Sequence, residues 1–308
     1  MSEQDEKRIF QIAPDWELVR GNDEEKCLPH LRDADIVVGW SDTAEEECFK
    51  PGAKLRWLQA WGSGIEYIPL EKFAARGVIL TNASGVHAIP ISEAIFAMML
   101  TFARKLNDSF RNQLQKKWQY TGSLNEIHGK TAAIIGVGAI GEETARIAKA
   151  FGMKVLGVRR SGQPSSYIDR MYDLYGLEEV LRQSDYVINT LPLTKDTYHL
   201  IGSQQFNQMR ATTVYINIGR GGTTDTNALV EALKNGIIAG AGLDVFEEEP
   251  LPETSPLWDF ENVIITPHNS GSTDQYHERA MSIFLHNLHD VVKGRPPSLN
   301  LVDLENQY

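Results

Sequence analysis

The chain has 308 residues, of which 42% are hydrophobic and 23% are charged, and its formal net charge is −11. That length accommodates two domains, and the composition is ordinary for a globular protein. The acidic balance argues against a nucleic acid or an anionic membrane as a partner. Cys27 and Cys48 lack metal-ligand spacing, and the polar segment MSEQDEKRIF differs from a secretory signal. We therefore expect no metal site and a cytoplasmic protein.

The first part of the chain alternates short apolar runs with polar or amphipathic segments, which is typical of parallel βαβ units. An amphipathic stretch at 69–76 predicts a helix. A longer apolar helix follows, with Pro90 near its start. The predicted strands of this part lie at 8–12, 35–40, 56–61 and 77–81.

The segment GVGAIG at 136–141 follows an apolar run of strand length and precedes a helical pattern that Gly152 closes. Strand, glycine turn and helix form the setting in which GxGxxG binds a dinucleotide. Gly136 makes the turn, Gly138 admits the pyrophosphate, and Gly141 lets helix and strand pack. The first helical residues, Ala139 and Ile140, lie at the N-terminus that offers N–H donors to the anion. The alternative is a structural turn that binds nothing.

The following strand, at 154–158, should end at the ribose of the adenosine. An NAD site carries an Asp or Glu there, whereas this strand continues into Arg159, Arg160 and Ser161. Two guanidinium groups and a hydroxyl favour the 2′-phosphate of NADP(H), with NAD(H) as the second cofactor. The alternative is that both arginines are solvated charges at the end of a strand.

Three polar residues follow later strands, where an open α/β sheet places its ligands. These strands are predicted at 185–190, 214–218, 238–243 and 263–265, before a final helix at 273–293. Arg220 follows the second of them, Glu249 the third and His268 the last. His268 is suited to donate a proton to a ketone oxygen, and a carboxylate beside it favours the imidazolium form. Arg220 is suited to hold a substrate carboxylate and to polarise the carbonyl. Taken singly, each could equally be an ordinary loop or surface residue.

These motifs together resemble the D-isomer-specific 2-hydroxyacid dehydrogenases, over nearly the whole chain. The resemblance rests on GSGIE (62–66), GVGAIG (136–141), LPLT (191–194), NIGRGG (217–222), LDVFEEEPLP (243–252) and TPHNSGST (266–273). It implies that Arg220 is the catalytic arginine, His268 the acid/base and Glu249 its partner. The sequence departs from the commoner pattern at 223–225 and at 269–270, which leaves those three positions intact.

The resemblance also implies roles for residues that the pattern alone leaves unassigned. Ser63 and Gly64 match the loop that binds the substrate carboxylate, and Asp244 matches the residue that meets the nicotinamide carboxamide. Trp40 is either an aromatic contact of the substrate or an interdomain packing residue. Backbone positions that match the lining of the cofactor site are Leu191, Pro192, Ile218, Gly219, Ser270 and Gly271.

The implied fold is α/β, with two doubly wound parallel-sheet domains. The resemblance implies that a Rossmann-type cofactor domain, residues 99–279, is inserted into a flavodoxin-like substrate domain formed by 1–98 and 280–308. The two would close a cleft on the ligand. The helical region 92–118 is rich in apolar residues, and with the resemblance it predicts a homodimer.

Within the family the chain looks most similar to the glyoxylate and hydroxypyruvate reductases. The function expected is hydride transfer from NADPH to a small 2-oxo acid, giving a D-2-hydroxy acid. A dehydrogenase for a bulkier 2-oxo acid is one alternative. A nucleotide-sensing binding protein on the same fold is the other.

Overall fold

The structure is a computed structural model that describes residues 1–21, 24–65, 67–120 and 122–304. The helices in these ranges are α1 Glu3–Ile12, α2 Glu24–Leu31, α3 Asp42–Cys48, α4 Leu70–Arg76, α5 Ala88–Arg104, α6 Leu106–Leu114, α7 Ala139–Ala150, α8 Leu177–Gln183, α9 Ser203–Gln208, α10 Thr226–Lys234 and α11 Tyr276–Val292. The strands are β1 Ile36–Val38, β2 Trp57–Gln59, β3 Ile79–Thr81, β4 Thr131–Ile135, β5 Lys154–Val158, β6 Arg170–Tyr172, β7 Tyr186–Asn189, β8 Val214–Asn217, β9 Gly240–Leu243 and β10 Val263–Ile265. Short 3₁₀ helices lie at Leu174–Gly176, Gly221–Thr223 and Pro256–Asp259.

The chain forms two compact units, of which the first is discontinuous. It comprises Met1–Val86 and Thr273–Tyr308, and the second comprises His87–Ser272. The boundaries predicted at 98/99 and 279/280 fall inside α5 and α11 instead of between elements. The reason is that each helix packs over its whole length in one unit. Buried residues of α5 join the core around β4, and buried residues of α11 pack with Ile9 and Trp57.

The first unit contains a parallel sheet of three strands in the order β1-β2-β3. The strand predicted at 8–12 is wrong, because those residues lie in α1. Ser2 caps this helix and Asp5 completes a capping box, so the polar residues before the apolar run set a helical start. The sheet is accordingly smaller than the doubly wound sheet that we predicted for this unit.

The second unit is built on seven parallel strands in the order β10-β9-β8-β7-β4-β5-β6. The predicted strands at 131–135, 154–158, 185–190, 214–218, 238–243 and 263–265 are confirmed within a few residues. Strand β6 was not predicted, because its three residues Arg-Met-Tyr give no apolar run. The strand order reverses beside β4, since β5 lies on one side of it and β7 on the other. The α/β class with parallel sheets is confirmed.

Strand β4 is buried on both faces, which explains its unbroken apolar sequence. Ala133 and Ile135 belong to one core cluster, together with buried residues of α8 and α10. Ala132 and Ile134 belong to the other, with buried residues of α5 and α7. Helices therefore cover both faces of the sheet and leave its carboxyl edge for a ligand. Among the residues that the structure describes, no helix has the length and apolar character to cross a membrane.

Candidate active site

The loops that follow β4, β7, β8, β9 and β10 leave the sheet at the same edge, because the strands are parallel. The crevice beside the reversal of strand order, here between β4 and β7, is the place where such a sheet binds its ligand. The three predicted catalytic residues and most of the predicted cofactor residues lie in these five loops. They therefore belong to one unit of the protein.

The glycine turn after β4 has the geometry that the motif predicts. Gly136 has φ 99°, and a Cβ built on it would lie 3.0 Å from the backbone nitrogen of Leu191. A Cβ on Gly141 would lie 3.0 Å from Cγ2 of Ile134, so this glycine sets the close packing of α7 on β4. A Cβ on Gly138 would meet nothing within 4 Å. No side chain caps the N-terminus of α7 at Gly138, so open space and unused N–H donors fit a pyrophosphate.

The end of β5 carries the arginines predicted to bind the 2′-phosphate. The Arg159 side chain folds over its own loop, donating from Nε to the Gln163 carbonyl at 2.8 Å and from Nη2 to the Pro164 carbonyl at 2.9 Å. Its Nη1 lies 3.7 Å from Oε1 of Glu142. Arg160 and Ser161 are exposed at the same turn. Arg159 thus holds the loop in shape.

The loops after β7 and β8 are held by two asparagines that sequence reasoning missed. Oδ1 of Asn189 accepts from the N–H of Leu191, and Oδ1 of Asn217 accepts from the N–H of Gly219, both at 3.1 Å. A Cβ on Gly219 would lie only 2.5 Å from the carbonyl oxygen of Leu191. The predicted lining residues Leu191 and Gly219 are therefore in close backbone contact. Pro192 and Ile218 lie next to them in the chain.

Asp244, after β9, is 2% exposed and organises the loop that carries the histidine. Its Oδ1 accepts from the Thr266 hydroxyl at 2.6 Å and from the Asn269 N–H at 3.0 Å, and its Oδ2 accepts from the Ser270 N–H at 3.1 Å. The backbone N–H of His268 donates to the Asp244 carbonyl at 2.9 Å. His268 itself has φ 49°, a conformation that costs a non-glycine residue on the order of 1–3 kcal/mol. The contacts to Asp244 offset that cost.

Two further predicted positions complete this loop. The hydroxyl of Ser270 is buried and has no hydrogen-bond partner among the described residues. Such a group is rare in folded proteins, and a ligand with a polar edge would satisfy it. The carbonyl of Gly271 lies 2.9 Å from Nδ1 of His87, which fixes the end of the loop. The orphaned hydroxyl, the open glycine turn and the uncapped helix together fit a dinucleotide.

His268 and Glu249 form the expected pair. Nδ1 of His268 lies 2.7 Å from Oε2 of Glu249, and Oε1 of Glu249 accepts from the Phe246 N–H at 2.9 Å. The His268 side chain is 51% exposed, so the imidazole can reach a ligand. With Nδ1 facing the carboxylate, Nε2 is the nitrogen that can exchange a proton with a substrate.

The Arg220 loop packs directly against the loop that bears Glu249. A Cβ on Gly221 would lie 1.9 Å from the carbonyl carbon of Phe246, so only glycine permits this approach. The Arg220 side chain is exposed, and its Nη1 donates to the Gly219 carbonyl at 2.9 Å. A second bracing contact, between Nε2 of His199 and Oε1 of Glu247 at 2.5 Å, was not predicted. The chain thus brings the Arg220 and Glu249 loops together, although 29 residues separate these two positions (249 − 220 = 29).

The residues predicted to bind substrate lie in the first unit. Nδ2 of Asn82 donates to the Ser63 carbonyl at 2.9 Å, which shapes the turn that contains Gly64. Glu66, the last residue of the GSGIE motif, lies outside the described residues. The Trp40 ring packs edge-on against Phe49 and Phe73, with centroids 6.0 and 5.2 Å away. Its Nε1 is buried and has no hydrogen-bond partner among the described residues, and the substrate contact of Trp40 stays a prediction. Within the described ranges, no group of three His, Cys, Asp or Glu residues is placed to hold a metal ion.

Comparisons with known proteins identify relatives of the chain. Residues 96–270 match the family model described as D-isomer specific 2-hydroxyacid dehydrogenase, NAD binding domain. The chain is 32% identical to a glyoxylate reductase of Korarchaeum cryptofilum, over 97% of this chain and 93% of that protein. It is 36% identical to a glyoxylate reductase of Thermococcus litoralis, over 88% of this chain and 85% of the other.

A solved structure shows the same likeness. It is the NADPH-dependent glyoxylate/hydroxypyruvate reductase of Sinorhizobium meliloti in complex with NADP and sulfate, with a TM-score of 0.79 and 27% identity. The match covers 100% of this chain and 97% of that one. The chain therefore belongs to the D-isomer specific 2-hydroxyacid dehydrogenases and is an NAD(P)-dependent oxidoreductase of that family.

Proposed function

We propose that this protein uses NADPH to reduce a small 2-oxo acid to a D-2-hydroxy acid, with His268 as the proton donor. The observation that carries the proposal is the 2.7 Å contact of His268 with Glu249 at the edge of the sheet where the open glycine turn lies. A histidine whose Nδ1 is held by a carboxylate presents Nε2 for proton transfer to a substrate.

His268, Glu249 and Arg220 have different roles in the proposed reaction. Reduced nicotinamide, when bound, supplies the hydride that adds to the carbonyl carbon. Negative charge then develops on the carbonyl oxygen, and Nε2 of His268 gives that oxygen a proton while Glu249 stabilises the imidazolium. The Arg220 guanidinium polarises the carbonyl and holds the substrate carboxylate with its forked donors.

The cofactor is assigned to the second unit and the substrate loop to the first. The residues proposed to hold the dinucleotide are Gly136, Gly138, Ala139, Ile140, Gly141, Arg159, Arg160, Ser161, Leu191, Pro192, Ile218, Gly219, Asp244, Ser270 and Gly271. Ser63 and Gly64 are proposed to offer backbone N–H donors to the substrate carboxylate. Arg159 and Arg160 are proposed to bind the 2′-phosphate together, while two Arg159 donors also hold the loop.

The preferred substrate is proposed to be glyoxylate or hydroxypyruvate. The relatives named as glyoxylate reductases support a small 2-oxo acid. We further propose a homodimer in a reducing cytoplasm. Neither cysteine forms a disulfide, and burial raises the pKa of the Cys48 thiol to about 11, so this thiol stays protonated and inert.

A substrate panel with both cofactors tests the proposal. Glyoxylate, hydroxypyruvate, pyruvate and a bulkier 2-oxo acid are each offered with NADPH and with NADH, and kcat/KM is measured by loss of absorbance at the nicotinamide band. We expect glyoxylate or hydroxypyruvate with NADPH to give the highest value. If the bulkier 2-oxo acid gives the highest kcat/KM, the proposed preference for glyoxylate or hydroxypyruvate is wrong. Cofactor binding with no turnover of any acid would favour a nucleotide-sensing protein.

A further inference from the structure

A buried network of five polar side chains lies beneath the loops that follow β7 and β8. Its members are exposed by no more than 4%, and they are Asn189, Tyr215, Asn217, Thr223 and Thr224. Asn189 and Asn217 stand opposite each other as the last residues of their strands. The other three join them through hydroxyl groups.

The hydrogen bonds of the network can be followed from donor to acceptor. The two N–H bonds of the Asn189 amide point to the Tyr215 hydroxyl at 2.9 Å and to the Thr223 hydroxyl at 2.8 Å. Oη of Tyr215 lies 2.6 Å from Oγ1 of Thr224. Burial raises the pKa of Tyr215 to about 12, so it keeps its proton and remains able to donate. Nδ2 of Asn217 donates to Thr224 Oγ1 at 3.1 Å.

The network ends on the carbonyl of Arg220. That oxygen accepts from the Thr223 hydroxyl at 2.6 Å, from the Thr223 N–H at 3.2 Å and from Asn217 Nδ2 at 3.3 Å. Through their Oδ1 atoms, the same two asparagines also hold the N–H groups of Leu191 and Gly219. The same side chains therefore restrain two loops, the one after β7 that contains Leu191 and the one after β8 that contains Gly219 and Arg220.

We propose that Thr223, with Tyr215 and Thr224, is a positioning residue that holds the backbone of Arg220 for the reaction. This inference rests on the proposed function, because it assumes that Arg220 contacts the substrate. In this buried network each side-chain nitrogen and oxygen atom has a hydrogen-bond partner, which confines its loops to one arrangement, whereas apolar residues at the same places would leave the Arg220 carbonyl with fewer donors.

Thr223→Val tests the proposal because it keeps the shape of the side chain and removes its hydroxyl. Thr213→Val is the matched control. Thr213 is equally buried, and its hydroxyl donates to the Ser184 carbonyl at 2.9 Å, just before the first residue of β8 and so at the far end of that strand. Both variants should have a lower melting temperature than the unmodified protein, because each loses a buried hydrogen bond. The Thr213→Val variant therefore measures the general effect of removing a buried hydroxyl.

The two variants should differ in kinetics and in amide hydrogen exchange. For Thr223→Val we expect kcat/KM for the 2-oxo acid to fall roughly tenfold, about the effect of one lost hydrogen bond. KM should rise and kcat should fall, since Arg220 is proposed to bind the carboxylate and polarise the carbonyl. The dissociation constant of NADPH should stay within about twofold. Amides of residues 219–224 should exchange faster in Thr223→Val than in Thr213→Val, and Thr223→Ser should restore both readouts.

Wild-type kinetics and exchange in Thr223→Val would overturn the positioning role. An equal loss of kcat/KM in Thr213→Val would overturn it too. If the unmodified protein turns over no 2-oxo acid, the proposed function fails by itself. The exchange measurement then still decides whether the network restrains the Arg220 loop.

Discussion

At the scale of single residues, the proposed preference for NADPH rests on the turn after β5. Residues 159–162 include no Asp or Glu to accept a hydrogen bond from the ribose 2′-hydroxyl, and Arg160 and Ser161 are exposed there beside Arg159. The preference for NADPH was inferred from these residue types. The sequence did not reveal that Arg159 donates hydrogen bonds to the carbonyls of residues 163 and 164, because these contacts depend on the path of the loop.

Replacing Arg160 with alanine should lower kcat/KM for NADPH about tenfold, since a charge-assisted hydrogen bond contributes about 1.5–3 kcal/mol and part of that is lost to exposure. The value for NADH should stay within about twofold, because NADH has no 2′-phosphate. Arg210→Ala is the control, because this exposed arginine precedes β8 at the opposite edge of the sheet. Equal losses with both cofactors would show that Arg160 does not contact the phosphate.

Replacing Glu249 with glutamine should lower the rate of reduction. The amide has nearly the same shape as the carboxylate but lacks the negative charge that faces Nδ1 of His268. We expect kcat for the 2-oxo acid to fall roughly tenfold, because a charge-assisted hydrogen bond becomes a neutral one. The dissociation constant of NADPH should stay within about twofold. Equal kcat values for Glu249→Gln and the unmodified protein would remove Glu249 from the catalytic group.

At the scale of elements, the sequence predicted the seven-stranded sheet well and the first unit less well. Strands such as β4 are buried on both faces and give apolar runs that no other signal opposes. The apolar residues at 8–12 gave a similar signal, although the capping residues Ser2 and Asp5 precede them and α1 forms instead. Asn189 and Asn217 were missed because their partners are backbone groups of loops, which the spacing of residues does not reveal.

The start of α1 should make stability depend on pH. Burial alone would raise the pKa of Asp5, yet hydrogen bonds from Ser2 and His277 outweigh it and lower the pKa to about 2. A carboxylate whose pKa is lowered by folding stabilises the folded state at any pH above its pKa in the unfolded state, which is near 4. This contribution disappears as the pH falls toward 2. Asp5→Asn should therefore cost on the order of 1–2 kcal/mol at pH 7 and progressively less below pH 4.

Urea unfolding of Asp5→Asn and the unmodified chain at pH 7 and at pH 3 measures this dependence. The exposed residue Asp15 provides the control, since Asp15→Asn removes one carboxylate from a site near α1. A stability difference for Asp5→Asn that is as large at pH 3 as at pH 7 would contradict the account.

At the scale of the whole molecule, the proposed homodimer rests on large apolar side chains that α6 and the segment after it expose. Lys105 has φ 50° and divides the region predicted as one helix at 92–118 into α5 and α6. Phe110 and Leu114 lie one turn apart on α6, and Trp118 follows four residues after the helix ends; Leu114 is 86% exposed and Trp118 is fully exposed. Several large apolar side chains exposed in one region often mark an interface.

Leu114→Glu combined with Trp118→Glu should convert a dimer into a monomer, because each change places a charge in an apolar interface. An obligate interface buries more than about 2,000 Å², so the unmodified chain should stay dimeric at micromolar concentration. Light scattering measures the mass. Tyr175→Glu, at a residue 98% exposed elsewhere in the second unit, should leave the dimer intact. A monomeric unmodified chain would refute the dimer.

The proton donor is the central claim, and one kinetic comparison tests it most directly. The kcat for glyoxylate with saturating NADPH is measured for the unmodified protein, for His268→Ala, and for His128→Ala as a control histidine before β4, at the opposite edge of the sheet. His268→Ala should lose roughly 10²–10⁴-fold in kcat, as expected when a positioned acid is removed, while its NADPH dissociation constant and the kcat of His128→Ala stay near those of the unmodified protein. Turnover by His268→Ala at close to the unmodified rate would contradict the account.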